Sequence, residues 1–315
     1  RDLTVTGVQT CALPIYNLSL LGLAPLLNLQ LLIDGLLIGS IFALAAYGLA
    51  LVWGVMNIKN LAQGDFVIMG GYIAFTLSES PFNLHPILSI PIIFVLMFVF
   101  GWVLYQTIIR RVIERDLFTS LLATFGLAIV IQQLINLAYG PDVQTIRSEM
   151  AIREFFEGEV TIADIKFVSF ILAMIMGLML TIFMKKSRMG RAIRATSQNA
   201  RAARIMGIDT DRVYAFTFSL NAAICGIAGV LISMIWVIQP FFGITHSIRA
   251  FVIVTSAGFG NLIGVILSSL GLGAVEQFSG FILGAEFQQA TVVGLLVGVL
   301  IIRQIIQGRQ RQVVQ

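Results

Sequence analysis

KKSRMGRAIRATSQNARAARIMGIDTDR, residues 185–212, is the one long, strongly basic, helix-prone segment in a chain that is otherwise almost wholly lipid-soluble. It is preceded by the apolar run FVSFILAMIMGLMLTIFM (167–184) and followed by VYAFTFSLNAAICGIAGVLISMIWVI (213–238). A basic helical stretch held between two bilayer spans at one membrane surface is a handle that a soluble partner can grip.

The rest of the composition agrees with that frame. Of 315 residues, 58% are hydrophobic and only 11% charged, with a mean hydropathy of +0.94; soluble domains carry roughly a quarter charged residues. The chain is therefore read as an all-α, polytopic transmembrane bundle. At roughly 20 residues per crossing, about eight or nine spans fit, leaving little for a separate soluble domain. Residues 17–306 form one transmembrane domain in this reading, and 307–315 a basic cytoplasmic tail. The first sixteen residues, RDLTVTGVQTCALPIY, lack the basic start, apolar core and small-residue cleavage site of a signal peptide. They are set aside as a non-native N-terminal segment, which leaves Cys225 without a disulfide partner.

Apolar runs occur at 35–53, 61–77, 87–108, 117–139, 167–184, 213–238, 250–266, 267–284 and 289–306. Each is continuous rather than alternating, which favours helices over a barrel. Lys59, Arg110, Arg111, Arg115, the eight basic residues from Lys185 to Arg212, and Arg303, Arg309 and Arg311 fall in one set of loops. Arg147, Arg153, Lys166 and Arg249 fall in the other. The positive-inside rule makes the first set cytoplasmic. The loop 140–166, with Asp142, Glu149, Glu154, Glu157, Glu159 and Asp164, then lies outside. The net charge of +4 follows from this topology, and no nucleic-acid partner is implied. Parity requires 250–284 to cross twice or not at all, with a short or broken span around Gly258, Gly260, Asn261 and Gly264. GxxxG spacings at Gly35–Gly39, Gly260–Gly264, Gly280–Gly284 and Gly294–Gly298 mark close helix packing or a subunit interface.

Enzyme chemistry is a poor fit. A phosphate-binding P-loop needs Gly-Lys, and none of the four lysines, at 59, 166, 185 and 186, follows a glycine. His85 and His246 sit in separate outer loops in this reading, without carboxylate or thiol at metal-ligand spacing, so no metal is expected. No serine lies in a nucleophile-elbow pattern, and no cofactor is expected to be bound by this chain.

Segment 189–209 reads as an amphipathic helix, with Ser197 able to cap an N-terminus and Gly207 supplying a left-handed stop. Arg201 and Arg204 share one face. The alternative is a solvated basic loop that only fixes topology. Inside the spans, Gln132, Gln133, Asn136, Asn221 and Glu276 are pathway candidates because intramembrane polar groups face protein or water. Asn60, Gln63 and Asp65, at the start of the second span, join them. For each, the alternative is an interhelical hydrogen bond that only holds the bundle together.

SRMGRAIRA (187–195) and ARIMGIDTDRVYAFTFSLNAAICGIAGVL (203–231) resemble the cytoplasmic loop and following span of branched-chain amino acid ABC transporter permeases of the LivH type. The resemblance continues through IDGLLIGSIFALAAYGLALVWGVMNIKNLAQGDFVIMGGYIAF (33–75) and LLATFGLAIVIQQL (121–134), and covers about residues 30–302. It implies an inner-membrane permease subunit of a bacterial importer, with a second related permease subunit, two cytoplasmic ATPases and a periplasmic binding protein as partners. A cytoplasmic helix docking into the ATPase would place the coupling contacts at Arg191, Arg194, Arg201, Ala202, Ala203, Arg204, Met206 and Gly207. The chain departs from the family pattern at Leu61-Ala62-Gln63-Gly64, where Phe-Ala-His-Gly is usual, and at Arg201, where Glu is usual. It also has Ala257-Gly258-Phe259-Gly260 in place of Gly-Gly-x-Gly, and Arg303-Gln304 in place of Arg-Pro. These departures bear on the substrate more than on coupling. Permeases for sugars, nucleosides, amides or urea remain alternatives, as does a secondary transporter or channel acting alone.

Overall fold

A computed structural model describes residues 21, 25–79, 82–113, 117–146, 152–155, 160–258 and 261–312. Residues 1–16, Gly260, and Arg115, Arg147, Glu149, Glu157 and Glu159 lie outside the described residues, as does the end of the basic tail, 313–315.

The helices are α1 (Pro25–Met56), α2 (Gln63–Ser78), α3 (Pro86–Val112), α4 (Leu117–Tyr139), α5 (Asp164–Lys186), α6 (Arg188–Gln198), α7 (Ala200–Ile205), α8 (Thr210–Ile235), α9 (Gly243–Ala257), α10 (Leu262–Leu283) and α11 (Gln288–Gln312). A turn of π-helix, Tyr105–Ile109, lies within α3. The long polar loop after α4 carries an antiparallel hairpin, β1 (Ile152–Phe155) and β2 (Val160–Ala163), with Ile152 opposite Ala163.

Seven of these helices are long and apolar enough to cross a membrane, and the bundle is a polytopic helical one. The expectation of eight or nine equivalent spans is corrected: α2 and α9 have only 16 and 15 residues, short of the roughly 20 a crossing needs. The division of 250–284 at residue 266 is corrected too. Gly258, at φ +89°, ends α9, and Asn261 starts α10 by accepting a hydrogen bond from the Gly264 amide at 3.1 Å. Antiparallel α9 and α10 thereby satisfy the parity of the chain.

Helix α8 is buried along nearly its whole length and α1 from Gly35 to Val52, and α3, α4, α5, α10 and α11 turn most of their surface outward. Both central helices are apolar on every side, the pattern of a fully enclosed helix. Small residues let their neighbours close on them. Gly35 and Gly39 of α1 rest against the backbone of Gly273, Ala274 and Ser269 in α10, and Gly70 of α2 lies on Gly226 of α8. Gly280 meets the side chain of Gln288, whereas Gly294 and Gly298 meet nothing within reach among the described residues.

One end of the bundle gathers the basic residues. Arg110 of α3 pairs with Asp211 at the start of α8 at 2.7 Å, Tyr105 donates to the same carboxylate at 2.8 Å, and Arg303 lies beside Gly258. At the opposite end, Lys166 pairs with Asp34 at 2.7 Å. Gln144 and Ile238 exchange backbone hydrogen bonds there, at 2.9 and 2.7 Å, fastening the long loop to the exit of α8.

Candidate functional site

Two short helices meet at mid-height. Helix α1 stops because Asn57 takes a left-handed backbone, φ +53°, a conformation Asn tolerates at a helix C-terminus. The chain then turns back into the bundle and begins α2 at Gln63. The Gln63 amide donates to the Ala45 carbonyl at 2.8 Å, to Asn221 Oδ1 at 2.9 Å and to Cys225 Sγ at 2.9 Å. Asn221 and Cys225 occupy the middle of α8, Thr210–Ile235, so α2 starts about halfway through the bundle.

Helix α9 starts beside it. Gly243 is so close to Gly64 that a methyl group on either would overlap backbone or the Asp65 carboxylate. Ser247 stitches the two segments by donating to the Leu61 carbonyl at 2.8 Å and accepting from the Gly64 amide at 2.8 Å. Asn60 Oδ1 accepts from the Ala62 amide at 3.1 Å, and Asn60 Nδ2 reaches Gln63 Oε1 at 3.4 Å. Thr124 of α4 accepts from the Leu61 amide at 3.3 Å.

Asp65 sits in the first turn of α2 and touches the first residue of α9. Two helix N-termini, each carrying partial positive charge, favour a carboxylate there. Gln132 of α4 donates to Asp65 Oδ1 at 2.9 Å. The structure thus brings Asn60, Gln63, Asp65, Gln132 and Asn221 into one buried cluster. Asn221 Nδ2 and, lower in connectivity, Asn136 Oδ1 are buried without a hydrogen-bond partner among the described residues. Gln133 points outward from α4, away from the cluster.

Glu276 stands apart from this group, held by Arg249 in a buried ion pair whose Nε contacts measure 3.1 and 3.2 Å. Arg249 and His246 lie within α9 rather than in the outer loops expected from sequence. Arg249, Ser247, Thr124 and Cys225 were missed as site residues. An Arg adjoining one apolar run and a Glu inside the next are the sequence signal that could have joined the first to Glu276. Among the described residues no group of three His, Cys, Asp or Glu could hold a metal ion.

At the basic end, 188–205 forms two helices where one was expected. Asn199, extended at φ −158°, breaks the segment and caps α7 by accepting from the Ala202 amide at 3.0 Å. Ser187 caps α6 by accepting from the Gly190 amide at 2.8 Å, whereas Ser197 donates to the Arg194 carbonyl and caps nothing. After α7, Gly207 at φ +83° closes a Schellman turn: its amide reaches the Arg204 carbonyl, and that of Ile208 reaches the Ala203 carbonyl, both at 3.0 Å.

This turn sets which side chains face out. Ile205 and Met206 are 81% and 80% exposed; Arg191, Arg201, Ala202, Arg204 and Gly207 are also exposed. Ala203 is buried against the bundle. Arg194 folds back to donate to the Met184 carbonyl, Arg191 donates to the Lys186 carbonyl at 2.9 Å, and Arg204 donates to Thr210 at 2.6 Å.

The family model for the branched-chain amino acid transport system permease component matches residues 31–303. The chain is 28% identical over 292 residues to the high-affinity branched-chain amino acid transport system permease protein LivH of Salmonella typhimurium, covering 87% of this chain and 93% of that protein. It is 29% identical over 289 residues to BraD, described in the same terms, of Pseudomonas aeruginosa, covering 87% and 94%. A probable branched-chain amino acid transport permease protein LivH of Methanocaldococcus jannaschii is 28% identical over 265 residues, covering 82% and 83%. No solved structure matches the chain. With seven membrane-crossing helices in the region these relatives share, the chain is a multi-pass inner-membrane protein and belongs to the permease component family of branched-chain amino acid transport systems.

Proposed function

We propose that this permease subunit forms part of the translocation pathway of an ATP-driven importer for branched-chain amino acids, and that the turn at Ile205–Gly207 is where partner ATPases take hold. The reading rests on one observation above the others. Two large apolar side chains stand almost fully exposed on a short helix whose start and end are both capped, at the basic end of the bundle. An apolar knob on a rigid stem fits a groove on a partner, and a merely solvated loop has no need of one. The caps transmit force, because α6 and α7 are fixed to the ends of α5 and α8. Tilting α7 then pulls on α8, whose middle carries Asn221 and Cys225 of the mid-height cluster.

In the assembled transporter two ATPases, a second related permease and a periplasmic binding protein complete the machine. The binding protein selects the substrate, and the permease passes it. The substrate class comes from the family description and the names of the relatives.

Exchanging Met206 for Asp is the direct test. Copurification with the ATPases and ATP-driven leucine uptake are expected to be lost, while the amount of chain in the membrane stays unchanged. Uptake that persists in the variant, or that the unaltered chain sustains alone in vesicles without ATPases, refutes the reading and leaves a transporter or channel acting alone.

A further inference from the structure

A cavity of about 310 Å³ opens between the α8–α9 connection and the start of α11. It exists because α9 begins at mid-height: the connection from Trp236 to Phe242 must descend into the bundle, and the descent leaves space behind it. Trp236 directly follows the end of α8 that is remote from the basic segment, so the cavity lies on the half of the molecule opposite the coupling turn.

Its wall has two chemistries. Trp236 and Phe242 supply aromatic surface; Thr245, His246, Arg249 and Gln289 supply polar groups. Arg249 is fixed from two sides, by an ion pair and by a ring. Glu276 takes its Nε and Nη2, Phe42 lies under the guanidinium with 4.9 Å between charge centre and ring, and Phe42 is stacked on Trp236 at 5.9 Å. Gln289 donates to Thr245 at 2.7 Å, tying α11 to α9 across the cavity. The His246 imidazole makes no hydrogen bond among the described residues.

The volume is at the lower end of the range for ligand sites, which are mostly apolar with a few well-placed polar groups. Nη1 of Arg249 makes none of the contacts with Glu276 and can donate to a ligand carboxylate, and the pairing with Glu276 keeps the wall neutral, so a ligand with no net charge is not repelled. Aromatic faces beside it suit an aliphatic side chain. We infer that this cavity is the permease's own acceptance site for a small α-amino acid with an apolar side chain, with Arg249 facing the carboxylate and Trp236 and Phe242 facing the side chain. The inference rests on the importer reading above and adds to it a place where substrate is held by this chain rather than by the binding protein.

The test uses the complete transporter in vesicles carrying Thr245→Cys, with a small methanethiosulfonate reagent as probe. Residue 245 lines the cavity without belonging to the Arg249 pair, Cys225 is buried, and Cys11 is replaced by Ser in every protein tested. The new thiol is expected to be modified from the side opposite the ATPases, and leucine to slow that modification about threefold or more at saturation. Leucinamide, which lacks the carboxylate, is expected to give no protection. Adding Trp236→Ala is expected to raise the leucine concentration needed for protection without changing labelling in its absence. If Thr245→Cys does not reach the membrane, Gln289→Cys reports on the same space. Absence of labelling at both positions, equal labelling with and without leucine, or equal protection by leucinamide overturns the inference. ATP-dependence of uptake is measured on the same vesicles. Lost protection with ATP-driven uptake intact refutes the acceptance site alone, and uptake indifferent to ATP refutes the importer reading alone.

Discussion

Gly64 and Gly243 are the residues through which α2 and α9 come into closest contact. A methyl group at position 64 would enter the carbonyl of Gly243, and one at 243 would enter the Asp65 carboxylate. The Gly243 carbonyl is backbone and cannot yield without parting α2 from α9, whereas the Asp65 carboxylate is a side chain that can turn aside. Gly64→Ala is therefore expected to remove most folded protein from detergent extracts, read by size-exclusion chromatography, whereas Gly126→Ala, facing open space on α4, is expected to leave the yield unchanged. The Arg249–Glu276 pair makes a second residue-scale prediction. Removing one partner strands the other charge in a mostly buried site, at a cost on the order of 3 kcal/mol. Arg249→Met alone is expected to lower the melting temperature well below that of Arg249→Met with Glu276→Met, because the double variant leaves no charge behind. The sequence flagged Glu276 because its charge is hard to hide, yet missed what hides it. Arg249 stands one residue before the apolar run at 250 and was sorted with the loops. Hydrophobicity cannot distinguish a cation at the end of a span from one inside a span whose first turns are polar.

Among the elements, α6 and α7 show most directly how sequence and structure part company. Composition marks 189–209 as helical, and Gly207 is legible as its stop because no other residue takes a positive φ so readily. The break at Asn199 was not legible, because Ser197 and Asn199 are both good caps and only tertiary context decides between them. Asn199→Ala is expected to cost about 1 kcal/mol of local stability, seen as faster amide exchange across 200–206, with the spans unaffected. On the proposed coupling role, ATP-driven uptake is expected to fall as well, because an uncapped α7 transmits less force to α8. The short spans tell a similar story. Eight of the nine apolar runs each fall on one helix, whereas 250–266 straddles the break between α9 and α10, and the start of α9 was displaced because Thr245, His246, Ser247 and Arg249 dilute its first turns. Thr245, Ser247 and Arg249 are polar because they meet α11, α2 and α10, partners that lie apart from them in sequence.

For the whole molecule, the charge sorting and the fold agree on one basic end, where Arg110, the segment 185–212 and Arg303 gather. Met206→Cys is expected to react with an impermeant thiol reagent only when the cytoplasmic face of the membrane is exposed, and reaction from the outer face would invert the proposed orientation. What the sequence could not convey is depth: a hydropathy profile registers that a run is apolar, without registering that α2 and α9 begin halfway through the bundle. That depth has a consequence for how the protein is made. Gln63 finds its partner on α8 only 158 residues later, and Ser247 comes later still, 183 residues after Gly64. While the ribosome is still adding those residues, the nascent α2 is too short to span and too polar at its start to rest in lipid. It must wait, sheltered by the insertion machinery or left at the bilayer surface, and it reaches its final seat only after most of the polypeptide has emerged.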